Sequence, residues 1–331
     1  MIYYIESGKT DPRYNLALEQ FVFDSLDRRG DYFMLWQNHN SIITGKNQNT
    51  SAEINTNFVN AHNISVVRRL SGGGAVYHDL GNINFTFITD ANKEKTHDFA
   101  TFCEPIQKAL ISFGVPAEIS GRNDMTANGK KISGNARYIK QGRIMHHGTL
   151  LYDSDLDMLS NALNPSNDKI ESKAIKSVKS RVANIRPFMK TDMPVKDFFS
   201  ALKENMFNLL NLREYILSGG EEAQVEKLKE NIYSQWSWNY GASPPYNVRK
   251  KRCIENCGTI EILIDIEKEG VIKNIAFYGD FFSNDDLSEL CAMLEGNHLN
   301  CEELEKTLQN TNISNYFYNL EKKEFLSVLL D

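Results

Sequence analysis

The dipeptide Asn128-Gly129 falls between Asp124-Met-Thr-Ala127 and a run from Lys130 to Ile139, and Gln141-Gly142 then turns that run into Arg143 to Tyr152. A two-residue type I′ turn needs positive φ at both central positions, which Asn-Gly tolerates best, so the first junction predicts a tight hairpin. Successive hairpins place neighbouring strands antiparallel. The chain is therefore expected to form an α+β fold, a mostly antiparallel sheet flanked by helices, and not a doubly wound parallel sheet.

The segment Asn82 to Ile88 extends this pattern. Ile83, Phe85 and Phe87 share one face and Asn82, Asn84 and Thr86 the other, as expected of a sheet covered on one side only. Asp98 to Phe113 reads as the helix packed on the apolar face. Upstream, Asp11-Pro12 reads as an N-cap and first-turn proline ahead of Leu18, Phe21, Val22 and Leu26 at helical spacing. Tyr32 to Gln37, Ser41 to Thr44 and Ser65 to Leu70 read as strands, with a helix over Ser51 to His62. Beyond the aromatic cluster Trp236, Trp238 and Tyr240, Pro244-Pro245 and the basic run Arg249 to Arg252 mark a boundary. After it, Gly258 to Glu267 and Val271 to Tyr278 pair around Lys268-Glu269-Gly270, and helices are expected near 284–294, 300–310 and 319–330. The expected division is 1–246 and 247–331, the second a small α+β domain.

Composition narrows the class. Of 331 residues, 41% are hydrophobic and 24% charged, as in ordinary globular chains. The net charge is −6, but residues 280–331 alone hold eleven acids against three lysines. The remainder is slightly basic and gathers its cations at 68–69, 130–131 and 173–190. Overall acidity disfavours a nucleic-acid polymer as partner, while the local charge suits a small anionic ligand. No run of about 18 apolar residues occurs and the start lacks a signal-peptide plan, so no membrane partner and a cytoplasmic location are expected. Cys103, Cys253, Cys257, Cys291 and Cys301 contain no C-x-x-C pair, so reduced thiols are expected, with neither disulfide nor metal.

Four motifs carry chemistry. Arg68-Arg69-Leu-Ser71-Gly72-Gly73-Gly74-Ala-Val-Tyr77-His78-Asp79 sets three consecutive glycines after a strand, so backbone N–H groups can face an anion beside two arginines. Its spacing is neither a Walker A loop nor G-x-G-x-x-G. Gly121-Arg-Asn123-Asp124 precedes Lys130-Lys131-Ile-Ser133-Gly134-Asn135, and alternation sends Lys131, Ser133 and Asn135 to one face. In His146-His147-Gly148-Thr149 only one imidazole can face the same site, and His147, next to the glycine, is the choice. Lys173 to Lys190 holds six cations and no acid, as an anion-binding loop would.

In this order RRLSGGGAVYHDLGNINFTF, GRNDMTANGKKISGNARY, HHGTLLYDSDLDMLSNALNPS and KSVKSRVANI resemble the lipoate-protein ligases of the biotin/lipoate ligase superfamily. The resemblance spans residues 1 to about 245, and the tail resembles the accessory domain of two-domain bacterial members. It implies a class II synthetase-like catalytic fold and a two-step reaction. Lipoate and ATP, with Mg²⁺, give lipoyl-AMP and pyrophosphate, and the acyl group then passes to a lysine of an apo lipoyl domain, either in a 2-oxo-acid dehydrogenase E2 subunit or in the glycine cleavage H protein.

The resemblance also implies residue roles. Arg69 and the Gly74-Ala75-Val76-Tyr77 backbone lie against ATP, Arg69 also facing lipoate, and Lys131 contacts both the lipoate carboxyl and the α-phosphate as the catalytic cation. Asn123 and Asp124 help hold the nucleotide, Asp124 being the candidate for its Mg²⁺. Ser71, His78 and His147 line the acyl end, and Trp36 in LWQNHNSIITGKNQN walls the lipoyl pocket. Lys179 and Arg181 match the adenylate-binding loop. The rival within the superfamily is an octanoyl or lipoyl transferase working through a cysteine thioester. In the octanoyltransferases a cysteine follows Asn-Pro, whereas here Asn164-Pro165 is followed by Ser166.

Overall fold

A computed structural model of the chain describes residues 1–90, 99–121, 123–163, 181–241, 246–267 and 270–330. Asp98, Arg122, Asn164-Pro165-Ser166, the cationic run from Lys173 through Lys179, Pro244-Pro245 and Lys268-Glu269 lie outside the described residues.

The main sheet has eight strands. From edge to edge they are Arg213–Glu214, Ile2–Glu6, Asp31–Trp36, Asn82–Asp90, Arg143–Leu151, Lys130–Lys140, Asp124–Ala127 and Ala117–Ser120. Both expected hairpins form, with φ of 50° and 75° at Asn128 and Gly129 and of 49° and 70° at Gln141 and Gly142. Among its described strands only the first edge is parallel: Ile2–Glu6 runs with both of its neighbours. That arrangement needs a crossover, which the helix Pro12–Ser25 supplies. Asp11 caps it by accepting from the Arg13 N–H at 3.0 Å.

Ile83, Phe85 and Phe87 pack with Phe102, Cys103, Ile106 and Leu110 of the helix Phe99–Ser112 and with Phe198, Leu202 and Met206 of the helix Val195–Leu210. Each such buried side chain contributes about 1.5–3 kcal/mol of transfer free energy. The other face differs from expectation. Asn82, Asn84 and Thr86 are at most 2% exposed, so the sheet is covered on both sides. A second core lies there, formed by Met34, Trp36, Ile88 and Met145 of the sheet with Leu16, Leu18, Phe21 and Val22 of the helix Pro12–Ser25 and with Ile43 and Val67. Alternation reports polarity, not exposure, and these polar side chains can be enclosed because groups inside the molecule bond several of them.

Ile43 and Val67 belong to a three-stranded sheet, Ser65–Arg68, Ser41–Thr44 and Val76–His78. The helix expected over Ser51 to His62 is split into Thr50–Glu53 and Thr56–Ala61. Ile54 makes a strand-like bridge to Leu163 between them, and Asn55 caps the second helix by accepting from Phe58 N–H at 3.2 Å.

Arg249 to Arg252, the basic run at the expected boundary, is regular structure. It lies within the strand Val248–Ile254, whose side chains alternate in exposure, with Arg249 paired to Glu261 on the neighbouring strand. Charged side chains on an edge strand discourage pairing with another chain. Gly258–Ile266 and Ile272–Gly279 complete this sheet. Helices Leu287–Leu294, Cys301–Thr307 and Lys322–Leu330 follow near their expected positions, with an additional turn of helix at Ile313–Tyr316. This part has its own core around Ile260, Ile262, Phe277, Phe317 and Phe325. It touches the rest at the glycine loop, where a Cβ on Gly72 would stand 2.5 Å from Phe281 O, at Asn47, whose O accepts from Gly279 N–H at 2.8 Å, and at Phe99, on which Phe282 packs with ring centroids 5.8 Å apart.

Candidate functional site

The polar face of the main sheet and the three-stranded sheet enclose a cavity of about 660 Å³, including its open mouth. Trp36, Asn84, His147, Thr149, Lys131 and Asn123 line one side, and Ile43, Arg69, Gly73 to Val76 and His78 the other.

The glycine loop is built around a buried guanidinium. Arg69 is 6% exposed; its Nε donates to Ser71 Oγ at 3.0 Å, Nη1 to Ile43 O at 3.1 Å, and Nη2 to Gly72 O and Gly74 O at 2.7 and 2.9 Å. Burial pushes its pKa down to about 10, so it stays cationic at neutral pH. Close packing explains the glycines: a Cβ on Gly72 would stand 2.5 Å from Phe281 O, and Gly73 adopts φ +91°. Arg68, expected beside Arg69 at an anion, turns the other way. Its Nη1 bonds Gly45 O, Lys46 O and Gln48 O at 2.7–2.9 Å, Nη2 bonds Thr50 Oγ1 at 2.7 Å, and Nε bonds Trp238 O at 2.9 Å. Adjacent residues of an extended chain point to opposite sides, and only Arg69 lines the cavity.

Lys131 Nζ lies 2.7 Å from Asp124 Oδ1 and extends over Gly134, where an added Cβ would come within 3.0 Å of Nζ. The expected alternation of Lys131, Ser133 and Asn135 fails. A register shift pairs Met125 with Ser133 but Thr126 with Lys131, so the extra Ile132 forms a bulge. Ser133 is fully buried and takes a 3.3 Å hydrogen bond from the Asn135 amide. Asn123 donates to Asn135 O at 2.6 Å. Val182 pairs in parallel with Lys131, and Ala183 N–H donates to Lys131 O at 2.9 Å, so Arg181 leads directly into this contact. Lys179 lies outside the described residues.

His147 faces the cavity, whereas His146 faces the first core, stacked on Phe102 at 4.8 Å between centroids; burial holds its pKa well below the usual value. His147 Nε2 is 2.6 Å from Ser71 Oγ and Nδ1 is 3.0 Å from Glu19 Oε1. Thr86 donates to the same Glu19 oxygen at 2.6 Å and accepts from Trp36 Nε1 at 2.9 Å. Glu19 is the member that sequence reasoning misses, and its one signal is an acid one turn after Asn15 in a helix that is otherwise mostly apolar around it, at Leu16, Leu18, Phe21 and Val22. Ser71 sits behind the wall. Tyr77 points away, donating to Asn40 Oδ1 at 3.1 Å. His78 lines the cavity, and burial, with Arg69 and His147 adding to it, pushes its pKa down to about 3.

Among the described residues no group of three or more His, Cys, Asp or Glu could hold a metal. Asp124 is a lone carboxylate beside the cavity. That fits a magnesium ion arriving on phosphate oxygens, which needs only one or two protein carboxylates.

The site can do one thing well. It presents the cations Arg69 and Lys131, a glycine-rich backbone and the aromatic wall of Trp36 to one cavity.

Residues 11–207 match the family model described as the lipoyl protein ligase A/B catalytic domain, and 243–329 match that of the bacterial lipoate protein ligase C-terminus. The chain is 42% identical to lipoate-protein ligase LplJ of Bacillus subtilis over 332 residues, covering 99% of this chain and 100% of that one. Among solved structures, the crystal structure of P. falciparum LipL1 in complex with lipoate covers 100% of this chain and 98% of its own, at 23% identity and a TM-score of 0.80, a likeness of fold. The bi-partite lipoate protein ligase from Thermoplasma acidophilum, studied with its E2 lipoyl domain, covers 75% of this chain and 98% of its own at 29% identity and a TM-score of 0.65.

Proposed function

The chain belongs to the lipoate-protein ligase family, and from that premise we infer how its own residues carry the reaction. It is an adenylate-forming ligase that activates lipoate with ATP and transfers the lipoyl group to a lysine of a lipoyl domain. A carboxylate does not acylate an amine near neutral pH until its oxygen joins a good leaving group, and AMP is that group. Carboxylate and α-phosphate are both anionic, so fixed cations must offset their repulsion.

Lys131 is the cation between the two reacting anions, and Arg69 adds positive charge from behind the glycine loop. Each such donor in a water-poor pocket is worth about 3–4 kcal/mol at the transition state. The Gly74 to Tyr77 backbone, Asn123, Lys179 and Arg181 hold the nucleotide, and Asp124 would hold the magnesium of Mg-ATP, whose charge would offset that of the phosphates. Trp36, His78 and His147, with Ser71 behind them, hold the acyl chain. Residues 1–246 form the catalytic domain and 247–331 the accessory domain. The acceptors are E2 lipoyl domains and the glycine cleavage H protein, in the cytoplasm; no helix among the described residues is long and apolar enough to cross a membrane.

The observation that carries this reading is the convergence of Lys131, Arg69 and the glycine loop on the cavity that Trp36 walls. Incubation with lipoate, Mg-ATP and apo carrier proteins should add one lipoyl mass to the carrier. No mass gain on any carrier, together with no pyrophosphate release, would overturn it. The cysteine-thioester alternative is disfavoured because no described cysteine lines the cavity. Cys103 is 1% exposed with Sγ 3.8 Å from His146, and removal of all five cysteines should leave transfer intact.

A further inference from the structure

Two chains of hydrogen bonds run behind the cavity walls, and each begins at a group that can only donate. The Trp36 Nε1–H donates to Thr86 Oγ1 at 2.9 Å, and the Arg69 Nε–H donates to Ser71 Oγ at 3.0 Å. An indole and a guanidinium offer no acceptor nitrogen, so each hydroxyl accepts there and sends its own proton onward. Thr86 donates to Glu19 Oε1 at 2.6 Å. Ser71 faces His147 Nε2 at 2.6 Å, which leaves the ring proton on Nδ1, 3.0 Å from the same Glu19 oxygen.

Both chains therefore end on one atom, and every proton along them points toward it. Glu19, Thr86 and Ser71 are at most 1% exposed, so they act on the cavity only through the residues that line it, Trp36, Arg69 and His147. The two ends stand on different sheets. Trp36 closes the strand Asp31–Trp36 of the main sheet. Arg69 follows Ser65–Arg68 of the three-stranded sheet and holds the glycine loop through Gly72 O and Gly74 O. Charge agrees with geometry: burial lowers the Arg69 pKa, and the Glu19 carboxylate opposes that fall.

We propose that Glu19 is a positioning residue that sets the acyl wall against the glycine loop, fixing Trp36 through Thr86 and Arg69 through His147 and Ser71. This rests on the ligase reading above and adds to it a residue that touches neither substrate. A carboxylate suits the task because one of its oxygens accepts two donors, in charge-assisted bonds about twice as strong as neutral ones.

Cutting one chain should disturb one substrate. Thr86→Val keeps the shape but releases the Trp36 indole, so KM for lipoate should rise about fivefold, the scale of one hydrogen bond, with KM for ATP within about twofold. Ser71→Ala releases Arg69 while Glu19 still holds His147, so KM for ATP should rise about fivefold and KM for lipoate stay within about twofold. Glu19→Gln exchanges a charged acceptor for a neutral one and should raise both constants together, about two- to threefold. Initial rates of pyrophosphate release give both constants. A role confined to stability would lower the active fraction, and so kcat, without moving either KM. Any two variants that fold decide the matter, since each pair predicts a different pattern. Unchanged KM values in the folded variants, or both constants raised together by Thr86→Val or by Ser71→Ala, overturn the positioning role and leave the ligase reading standing. No pyrophosphate release by the unaltered enzyme overturns both.

Discussion

Ser71 Oγ lies 2.6 Å from His147 Nε2 and so ties the glycine loop to the strand Arg143–Leu151. The other imidazole nitrogen faces Glu19, a carboxylate that can only accept, so Nδ1 carries the proton and Nε2 accepts from the serine hydroxyl. Glu19→Leu removes the acceptor and leaves Nδ1–H buried without a partner. Urea unfolding should show a loss of about 1–3 kcal/mol, and Glu19→Gln, which keeps an acceptor oxygen, should lose less. Equal losses in the two variants would mean that the charge and not the hydrogen bond matters.

Lys131→Ala should lower lipoate-dependent pyrophosphate release roughly a hundredfold or more, the scale of removing one transition-state donor. Near-normal release would remove Lys131 from the chemistry. The side chain is partly exposed, so the melting temperature should change little.

The glycine loop offers a pair of opposed substitutions. A Cβ on Gly45 would stand 2.0 Å from Gly73 O, backbone that cannot yield without moving the loop. Gly45→Ala should therefore cost roughly a hundredfold in adenylate formation by misplacing the loop. Gly74→Ala meets nothing within 4 Å. Stability should stay within about 0.5 kcal/mol, while KM for ATP rises, since the added methyl enters the space the nucleotide needs.

Arg68→Lys exchanges a planar fork for a single ammonium. The guanidinium answers carbonyls of Gly45, Lys46, Gln48 and Trp238, and lysine cannot span them. Loss of at least about 3 kcal/mol is expected by chemical denaturation. A loss below 1 kcal/mol would show that water replaces the bonds.

Much of the fold was legible because its signals are local. Asn128-Gly129 dictates a hairpin from its own φ preferences, and alternation puts His146 and His147 on opposite faces, with Gly148 pointing to His147 as the one at the site. The misses at the site depend on contacts distant in sequence. The bulge at Ile132 is a property of two strands together, the split between Arg68 and Arg69 depends on which face meets the cavity, and Glu19 gains meaning only when Thr86 and His147 arrive beside it. The helix Gly219–Leu228, opened by a Ser218 and Glu221 capping box, carried a usable signal that hydrophobic spacing does not read.

Acid should unfold the protein early. The buried His78 and His146 have pKa values held far below 6.5, whereas unfolded imidazoles titrate at about 6.5. Below about pH 6.5 the unfolded chain therefore binds protons that the native chain refuses, and stability falls as pH falls, ceasing for His78 near pH 3. The two together give a slope of up to about 2.7 kcal/mol per pH unit, and above pH 7 they give none. His146→Phe should roughly halve the slope of the urea midpoint between pH 6 and pH 5.

Because the polar face of the sheet is enclosed, the cavity interrupts the second core where Trp36, Leu16, Ile43 and Val76 would otherwise close on one another. A bound acyl chain supplies the missing hydrocarbon and becomes, for as long as it stays, a removable segment of the protein interior. Supply of the acid and lifetime of the enzyme are thereby joined: ligand saturation raises the unfolding free energy by the logarithm of its excess over Kd. A cell starved of the acid would hold a less durable ligase before it held a less active one.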